Sequence, residues 1–377
     1  MDQTASLTAW EWRGLHQRFN LADGHAHQSL SRSQCTVVDD LPRLFYDAEV
    51  EPQADLEGRF TRRFFELAGQ TAALTTGTPI LHYSASVATD VVAKALTTLG
   101  LGPVGVIAPT FDNIPQLLRR NNVEIKPLTE KFFAGPLPVE AFTGLAAVFL
   151  VLPNNPTGME LSRDGFAKLA RAAAAANVVL ICDCSFRFFS DLHTWDQYEV
   201  LSTTADLDYI MIEDTGKTWP TRDVKIGMLC SSSQLRRVIA DISNEVLLNV
   251  SPVTVMLLER FLAAEEVRSD AAPFLCADVA NVNRECLRQA LSVTAVAPAI
   301  PTSKISVEWM YTPGDWHAPD LAAWLSERGI GILPGGPFHW DAPEQGDHSI
   351  RIALMRDVEY FAEAVGALAR HLSQYRP

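Results

Sequence analysis

One lysine has a type and a position that could support chemistry, because it closely follows an apolar segment. Residues 209–213, YIMIE, have the composition of a buried strand, and Lys217 comes soon after them. Lysine is rarely buried unless a partner or a reaction holds it there. Held at a strand end, Lys217 would be available as a nucleophilic amine for covalent catalysis. The alternative is a solvated loop lysine without a chemical role.

Other reactive or ring-bearing side chains follow other predicted strands. Phe111, Asn155 and Asp183 come shortly after the apolar segments at 104–108, 146–152 and 178–182, respectively. In an open parallel sheet, ligands bind beyond the carboxyl ends of the strands. We therefore expect an aromatic ring, an amide, a carboxylate and the amine of Lys217 to converge on one crevice.

This combination is what pyridoxal phosphate (PLP) requires. A lysine forms a Schiff base with the aldehyde of PLP, and a carboxylate such as Asp183 keeps the ring nitrogen protonated. An aromatic side chain such as Phe111 stacks on the ring. A phosphate binds at a helix N-terminus that carries small hydroxyl residues. Ser84, Ala85 and Ser86, which precede a predicted helix at 88–99, supply such a site.

The elements that must position these residues alternate along the chain. Short apolar segments, typical of buried parallel strands, are separated by segments with helical character. This order predicts an α/β fold with a right-handed parallel sheet. The predicted strands are 104–108, 124–128, 146–152, 178–182, 209–213 and 226–230, and the helices between them include 113–120 and 162–177, the latter with Ser162 as its N-cap.

The C-terminal third has a different order of elements, which predicts a smaller α+β domain. Its predicted helices are 253–264, 277–291, 320–328 and 359–372, and its strands are 305–311 and 350–354. We expect residues 1–32 to form an N-terminal arm over the active site, with Trp10, Trp12 and Phe19 as its packing face. Residues 33–52 are expected to belong to the small domain, 53–265 to the large PLP-binding domain and 266–377 to the small C-terminal domain.

Charge and composition limit the classes of partner. The net charge of −14 argues against a nucleic-acid partner, because phosphate binding needs a basic surface. No segment has the length and apolar character of a membrane span, and the N-terminus lacks a secretory pattern, so a cytoplasmic location is expected. The six scattered cysteines are expected to be reduced core residues. His25 and His27 lack a third ligand at suitable spacing, so no metal is predicted.

The motifs resemble those of the fold type I, aspartate-aminotransferase-like PLP enzymes over nearly the whole chain. They are LPNNPTG around Asn155, CDCSF around Asp183, the Lys217 segment and IRIAL around Arg351. The resemblance implies a mostly parallel seven-stranded sheet in the large domain plus a smaller α+β domain. It also implies that Asn155 meets the phenolic oxygen of PLP and that Arg351 binds the substrate α-carboxylate through two parallel hydrogen bonds.

The sequence departs from that family at several positions of the site. Phe186 stands where many members have a tyrosine, and Lys225 stands where a phosphate-binding arginine is usual, so a point charge replaces a planar fork. Ser185 is expected among the cofactor-binding residues. Asp214 stands where a phosphate-binding serine is common. It either faces a cation or, as a strand-end acid, accepts hydrogen bonds from backbone amides.

Longer segments resemble a narrower group, the PLP-dependent L-arginine oxidases and hydroxylases of the enduracididine-pathway type. These segments are LADGHAHQSLS, PTFDNI, EDTGKTWPT and FHWDAPEQGDHSIRIAL. The resemblance implies a homodimer that oxidises free L-arginine with O2. Its expected products are 2-oxoarginine and a 4-hydroxy-2-oxoarginine or 4,5-dehydroarginine relative, formed in antibiotic biosynthesis.

The same resemblance assigns residues to the substrate. Glu11 and Asp214 would contact the guanidinium, and Thr8 and Asp23 would lie in the arm that closes over it. Carboxylates suit a guanidinium because they offer paired acceptors. His25 would pass protons during the oxygen steps as a catalytic residue. The plainer alternatives are a solvated helix acid for Glu11 and a surface histidine for His25.

Two other functions remain open at this level. One is a conventional aminotransferase that acts on arginine or a related amino acid with a keto acid as acceptor. The other is a catalytically silent PLP protein that acts as a regulator, against which the presence of Lys217, Asp183 and Arg351 argues. Fold alone cannot separate these functions.

Overall fold

The elements of the computed structural model cover both halves of the chain, and the structure describes residues 6–134, 142–265 and 274–377. The first half contains α1 (Leu7–Leu15), β1 (Phe19–Asn20), α2 (Arg32–Asp39), α3 (Leu41–Val50), α4 (Gln53–Leu67), α5 (Ala73–Thr76), β2 (Ile80–His82), α6 (Ala85–Thr98), β3 (Val104–Ala108), α7 (Asn113–Arg120), β4 (Ile125–Thr129), β5 (Ala147–Val151), α8 (Arg163–Ala175) and β6 (Val179–Asp183). The second half contains α9 (Gln197–Thr203), β7 (Tyr209–Asp214), β8 (Gly227–Ser231), α10 (Ser233–Val246), α11 (Pro252–Ala263), α12 (Leu275–Leu291), β9 (Ala297–Pro298), β10 (Val307–Tyr311), α13 (Ala318–Ser326), β11 (Ile330–Gly331), β12 (Leu333–Pro334), β13 (Ser349–Ala353) and α14 (Val358–Gln374).

A seven-stranded sheet in the order β2-β8-β7-β6-β5-β3-β4 forms the centre of the large domain. β3 to β7 run parallel to one another, whereas β8 is antiparallel to both β7 and β2. The prediction of a parallel strand at 226–230 is therefore wrong in direction. The loop between β7 and β8 contains no helix, and a parallel partner would need a longer crossover. The mostly parallel sheet is confirmed.

Helices cover both faces of this sheet, which explains the continuous apolar segments. Every residue of β5, β6 and β7 is buried. Phe166 and Leu169 of α8 pack on one face, and Val91 and Leu96 of α6 pack on the other. Helix α8 begins as predicted, because the Ser162 Oγ accepts a hydrogen bond from the N–H of Gly165. The predicted helix at 113–120 is also confirmed.

The small domain is built on a four-stranded antiparallel sheet in the order β12-β13-β10-β9. Its core contains apolar residues of α13, β13 and α14, and the N-terminal arm adds Leu7, Trp10 and Phe19 to it. The arm also pairs β1 with β11 in parallel. Trp12 was predicted on the same packing face, but its side chain is 64% exposed. Two residues along a helix turn a side chain to nearly the opposite face, so Trp10 and Trp12 cannot both pack.

The predicted domain boundaries remain predictions. Leu44 and Ala48 of α3 pack in the same apolar cluster as Phe60 and Phe64 of α4. This contact places the second half of segment 33–52 against a helix of the predicted large domain. The boundary predicted between 265 and 266 adjoins 266–273, which lie outside the described residues. Within the described ranges, no helix combines the length and apolar character needed to cross a membrane.

Candidate active site

Residues from the sheet and from the arm line one cavity of about 230 Å³ at the carboxyl ends of the parallel strands. Most of the predicted site residues meet here. The cavity wall includes Thr8, Glu11, His25, Ser84, Ala85, Ser86, Phe111, Asn155, Asp183, Ser185, Asp214, Lys217 and Lys225. Asp23 and Arg351, which were predicted to contact the substrate, are buried and do not line the cavity.

Asp183 ends β6 with its carboxylate buried. Its Oδ1 accepts hydrogen bonds from the backbone N–H and the hydroxyl of Ser185, at 2.9 and 2.5 Å. Burial raises the pKa of Asp183 to about 6, although the bonds from Ser185 oppose the rise. The nearby negative charges of Asp214 and Glu213 add to it. Such a carboxyl favours a cationic partner, since a positive charge would offset the cost of ionisation.

A buried ion pair lies behind the acidic strand ends. The Arg187 Nε donates to the Glu213 Oε2 at 2.9 Å, and Nη2 of Arg187 donates to Oε1 of the same carboxylate. The Tyr198 hydroxyl also donates to Glu213, at 3.0 Å. The negative charge of Glu213 holds the pKa of Arg187 above its usual range, although burial acts in the opposite direction. This pair fixes the end of β7 just before Asp214.

Lys217 follows β7 in a loop that the arm holds. The N–H of Ala26 donates to the carbonyl of Gly216 at 3.2 Å, and the Gln28 amide donates to the carbonyl of Thr218 at 2.9 Å. A Cβ at Gly216 would lie 2.8 Å from the Cδ of Lys225, so the Lys225 side chain would have to shift to accommodate it. Lys217 is thus half-buried at the strand end, as the sequence predicted.

Asp214 bonds to two backbone amides. Its Oδ2 accepts from the N–H of Ala85 at 2.9 Å, and its Oδ1 accepts from the N–H of Gly216 at 2.6 Å. This is the backbone-bonded alternative that the sequence left open, although the carboxylate also lines the cavity. Its contact with a guanidinium stays a prediction. Ser84 caps α6 through its hydroxyl, so the helix starts one turn earlier than predicted.

Arg351 is oriented toward the arm in this structure. Its side chain is buried, its Nη2 donates to the carbonyl of Ala22, and the same atom lies 3.5 Å from the Glu11 Oε1. Its Nε is buried without a hydrogen-bond partner among the described residues. A guanidinium with an unused N–H retains capacity for a carboxylate.

Several residues that line the cavity or support it were missed from the sequence. Thr89, Asn113, Ile114 and Val151 line the wall. Asp112 is buried and accepts a hydrogen bond from the N–H of Leu7 at 2.9 Å, which ties α1 to the large domain. Burial raises the pKa of Asp112 to about 6; the Leu7 bond opposes this and Glu11 adds to it. The segment PTFDNI contains Asp112, Asn113 and Ile114, but only Phe111 was assigned from it.

The residues present fit pyridoxal phosphate. The Asn155 Oδ1 is buried and has no partner within the described part of the chain, so its amide is free to meet a ligand. Asp183 is suited to a positive ring nitrogen, Lys217 supplies the amine, and Phe111 flanks the cavity. Gly227 allows β8 to approach α6, since a Cβ there would lie 2.4 Å from the Ser84 carbonyl carbon. The N-terminus of α6 lies on the cavity wall, and a helix N-terminus suits a phosphate.

The fold and a cavity centred on a lysine define a class of PLP-dependent enzyme. The model of the family "Aminotransferase class I and II" matches residues 52–368, and this chain belongs to that family. The fold type I architecture and the PLP cofactor predicted from the sequence are thereby confirmed.

Among solved structures, one of MppP soaked with the product 2-ketoarginine is 34% identical to this chain. Its TM-score is 0.85, and the match covers 93% of this chain and 98% of MppP. The Escherichia coli protein YbdL, for which a methionine aminotransferase function is described, has a TM-score of 0.75 at 17% identity, with 98% of each chain covered. That second likeness shows the fold alone.

Curated relatives carry aminotransferase names. An LL-diaminopimelate aminotransferase of Maridesulfovibrio salexigens is 23% identical over 256 residues, which are 66% of this chain and 63% of that protein. The match thus spans less than two thirds of that relative. A probable aminotransferase of Mycobacterium tuberculosis is 24% identical, with 97% of this chain and 86% of that protein covered.

Proposed function

We propose that this protein is a PLP-dependent oxidase of free L-arginine that uses O2 as the oxidant. Its products would be 2-oxoarginine and a 4-hydroxylated or 4,5-unsaturated relative, with ammonia and peroxide or water as co-products. The observation that carries the proposal is the meeting of Thr8, Glu11 and His25 of the arm with Lys217 and Asp183 in one cavity. The likeness to MppP, which was soaked with its product 2-ketoarginine, supports the same substrate class.

The proposed roles follow from the chemistry of each side chain. When bound, PLP supplies a covalent link to the amine and an electron sink for the substrate α-carbon. The Lys217 amine removes the α-proton and holds it at Nζ. Asp183 provides the negative charge at the end of the cavity where the ring nitrogen would lie. His25 lines the cavity, and its Nε2, which lies 2.9 Å from the Lys225 Nζ, accepts a proton during the later steps.

The arm provides recognition and shielding. Glu11, with Asp214 as the second predicted acid, would pair with the guanidinium, and Arg351 would take the α-carboxylate. Thr8 lines the cavity on the solvent side of the arm, where it would help to exclude water. The cofactor contacts proposed for Ser84, Ala85, Ser86, Ser185 and Lys225 remain predictions.

Oxygen dependence distinguishes this function from the conventional aminotransferase that the names of the curated relatives favour. The purified holoenzyme is given L-arginine in an oxygen electrode without any keto acid. We expect oxygen uptake in step with the loss of L-arginine, and no uptake by the Lys217→Ala variant. Turnover that proceeds without oxygen and depends on an added keto acid would show that the protein is an aminotransferase.

A homodimer is part of the proposal. Helix α3 presents Phe45, Tyr46 and Val50 to solvent, with side chains 60%, 69% and 81% exposed. Large apolar side chains on one helix are typical of a protein interface. Light scattering coupled to size exclusion should give twice the mass of the chain, and a Phe45→Ser/Tyr46→Ser double variant should lower it. A monomeric wild-type protein would rule the dimer out. The cytoplasmic location stays a prediction.

A further inference from the structure

The carboxylate of Asp23 lies between two imidazoles of the arm. Its Oδ1 lies 2.6 Å from the Nδ1 of His25, and its Oδ2 lies 2.6 Å from the Nε2 of His27. The carboxylate is buried, with the Asp23 side chain 5% exposed. Each carboxylate oxygen therefore has its own imidazole, which fixes the rotation of the carboxylate about its last bond.

The far side of His25 faces the second lysine of the site. The Lys225 Nζ lies 2.9 Å from the Nε2 of His25, and both residues line the cavity. A lysine ammonium has donors only, so the Nε2 of His25 must accept. The Nδ1 then carries the hydrogen and donates it to Asp23. The hydrogen bonds thus select one tautomer of neutral His25, with its basic nitrogen directed at the cavity.

The ionised state of Asp23 agrees with this arrangement. Burial acts to raise the pKa of Asp23, but the hydrogen bonds from His25 and His27 and the charge of Lys217 outweigh it and lower the pKa well below the usual range. The backbone is fixed as well, because Arg356 donates to the carbonyl oxygens of Asp23 and His25. Asp23 is thus an acceptor for both rings.

His27 differs from His25 in its position. It is absent from the cavity wall, its side chain is 21% exposed, and its backbone N–H donates to the carbonyl of Met355 at 3.1 Å. His27 is thus anchored to the small domain while its ring reaches back to Asp23. Among the described residues, no group of three or more possible ligands could hold a metal ion.

We propose that His27 is a positioning residue for His25: it holds the Asp23 carboxylate in the rotation that keeps His25 in the tautomer with a basic Nε2. This inference rests on the proposed function only in assigning proton transfer to His25. Without His27, the Asp23 Oδ2 loses its fixed donor, and the carboxylate is held only at Oδ1, by the ring Nδ1 and the backbone N–H of His25. In other enzymes, a carboxylate that fixes the tautomer of a catalytic histidine has a large effect on the reaction rate. Mutation of a residue that orients a functional side chain without touching the substrate typically lowers activity by about 10- to 100-fold.

Replacing His27 by residues that can or cannot donate to Asp23 tests the proposal. His27→Gln keeps an N–H donor of similar reach, whereas His27→Asn is too short and His27→Ala has none. We expect His27→Ala and His27→Asn to lower kcat for L-arginine oxidation by about tenfold with KM unchanged. His27→Gln should recover most of that loss. His317→Gln is a matched control, because His317 also lies between two carboxylates, those of Asp320 and Asp347, but at the surface, just before α13.

A spectroscopic measurement makes the result independent of activity. Nitrogen-15 spectra of labelled histidines report which ring nitrogen of His25 carries the hydrogen. We expect the Nδ1-protonated tautomer in the wild type and in His27→Gln, and a mixture of tautomers in His27→Ala. An unchanged tautomer in His27→Ala, or equal loss of kcat in the Gln and Ala variants, would overturn the proposal. If the wild type consumes no oxygen, the proposed function fails, while the tautomer still decides the role of His27.

Discussion

Replacing Glu11 by glutamine should weaken the recognition of a cationic substrate specifically. The Glu11 side chain lines the cavity and is 15% exposed, so its charge is only partly screened. A hydrogen bond between charged groups contributes about 1.5–3 kcal/mol. Arg351, at 3.5 Å, already competes for this carboxylate, which favours the lower end of that range. The loss of about 1.5 kcal/mol therefore corresponds to a factor of about 10 in kcat/KM for L-arginine.

A comparison with L-citrulline isolates the contribution of the substrate's positive charge to kcat/KM. Citrulline has nearly the shape of arginine but carries a neutral urea in place of the guanidinium. Glu11→Gln also weakens the contact with Arg351, but any resulting loosening of the arm acts equally on both substrates and cancels in a double-perturbation cycle. The assay measures kcat/KM for both substrates with both enzymes. We expect Glu11→Gln to reduce the preference for arginine over citrulline by the factor given above.

The result that would refute this reasoning is an equal loss for both substrates. Glu11 would then stabilise the arm without contacting the guanidinium. Ala9, which lies on the same helix away from the cavity wall, provides a control position. The Ala9→Gly variant should weaken α1 by about 1 kcal/mol without changing the preference between the two substrates.

Three further perturbations test other parts of the structure. In the cofactor-free protein, the pKa of Asp183 is about 6 in the native state, above its ordinary value of 3.8. Between these two values native Asp183 keeps a proton that the unfolded chain has released, so the free energy of unfolding falls as the pH rises through that range. Asp183→Asn should therefore be more stable than the wild type above pH 6, by about 3 kcal/mol, and equal to it near pH 4, as urea titrations at both pH values would show. Glu213→Gln leaves Arg187 without its counter-charge and should cost about 3–5 kcal/mol in thermal or urea unfolding, whereas an Arg187→Met/Glu213→Gln double variant should recover most of it. Asp112→Ala removes the acceptor for the N–H of Leu7. We therefore expect faster protease cleavage within the arm and a higher KM for L-arginine, with the cofactor absorbance unchanged. If the arm resists the protease as well as in the wild type, Asp112 does not hold it.

Local physics explains what the sequence could predict. The apolar segments that precede Phe111, Asn155 and Asp183 are buried on both faces of the sheet, so their composition predicted strands. The carboxyl ends of these predicted strands then indicated where the site lies. The cap of α8 was readable because Ser162 bonds to a backbone amide three residues away. Such signals lie within a few residues of each other along the chain.

Contacts between distant segments could not be read in this way. The direction of β8 depends on the length of a loop and on pairing with β2, which is far away in sequence. The bond between Leu7 and Asp112 joins segments more than a hundred residues apart, and neither residue type demands it. Likewise, nothing in the local pattern tells that Lys225 lies against His25. These features depend on tertiary packing, which overrides local preference.

The arm is attached at two places, one in the small domain and one in the large domain. β1 is paired with β11 in the small domain, while the start of α1 is bonded to Asp112 in the large domain. A rotation of one domain relative to the other would thus have to stretch or release this strap. Movement of the small domain relative to the large one and displacement of the arm from the cavity would then be coupled.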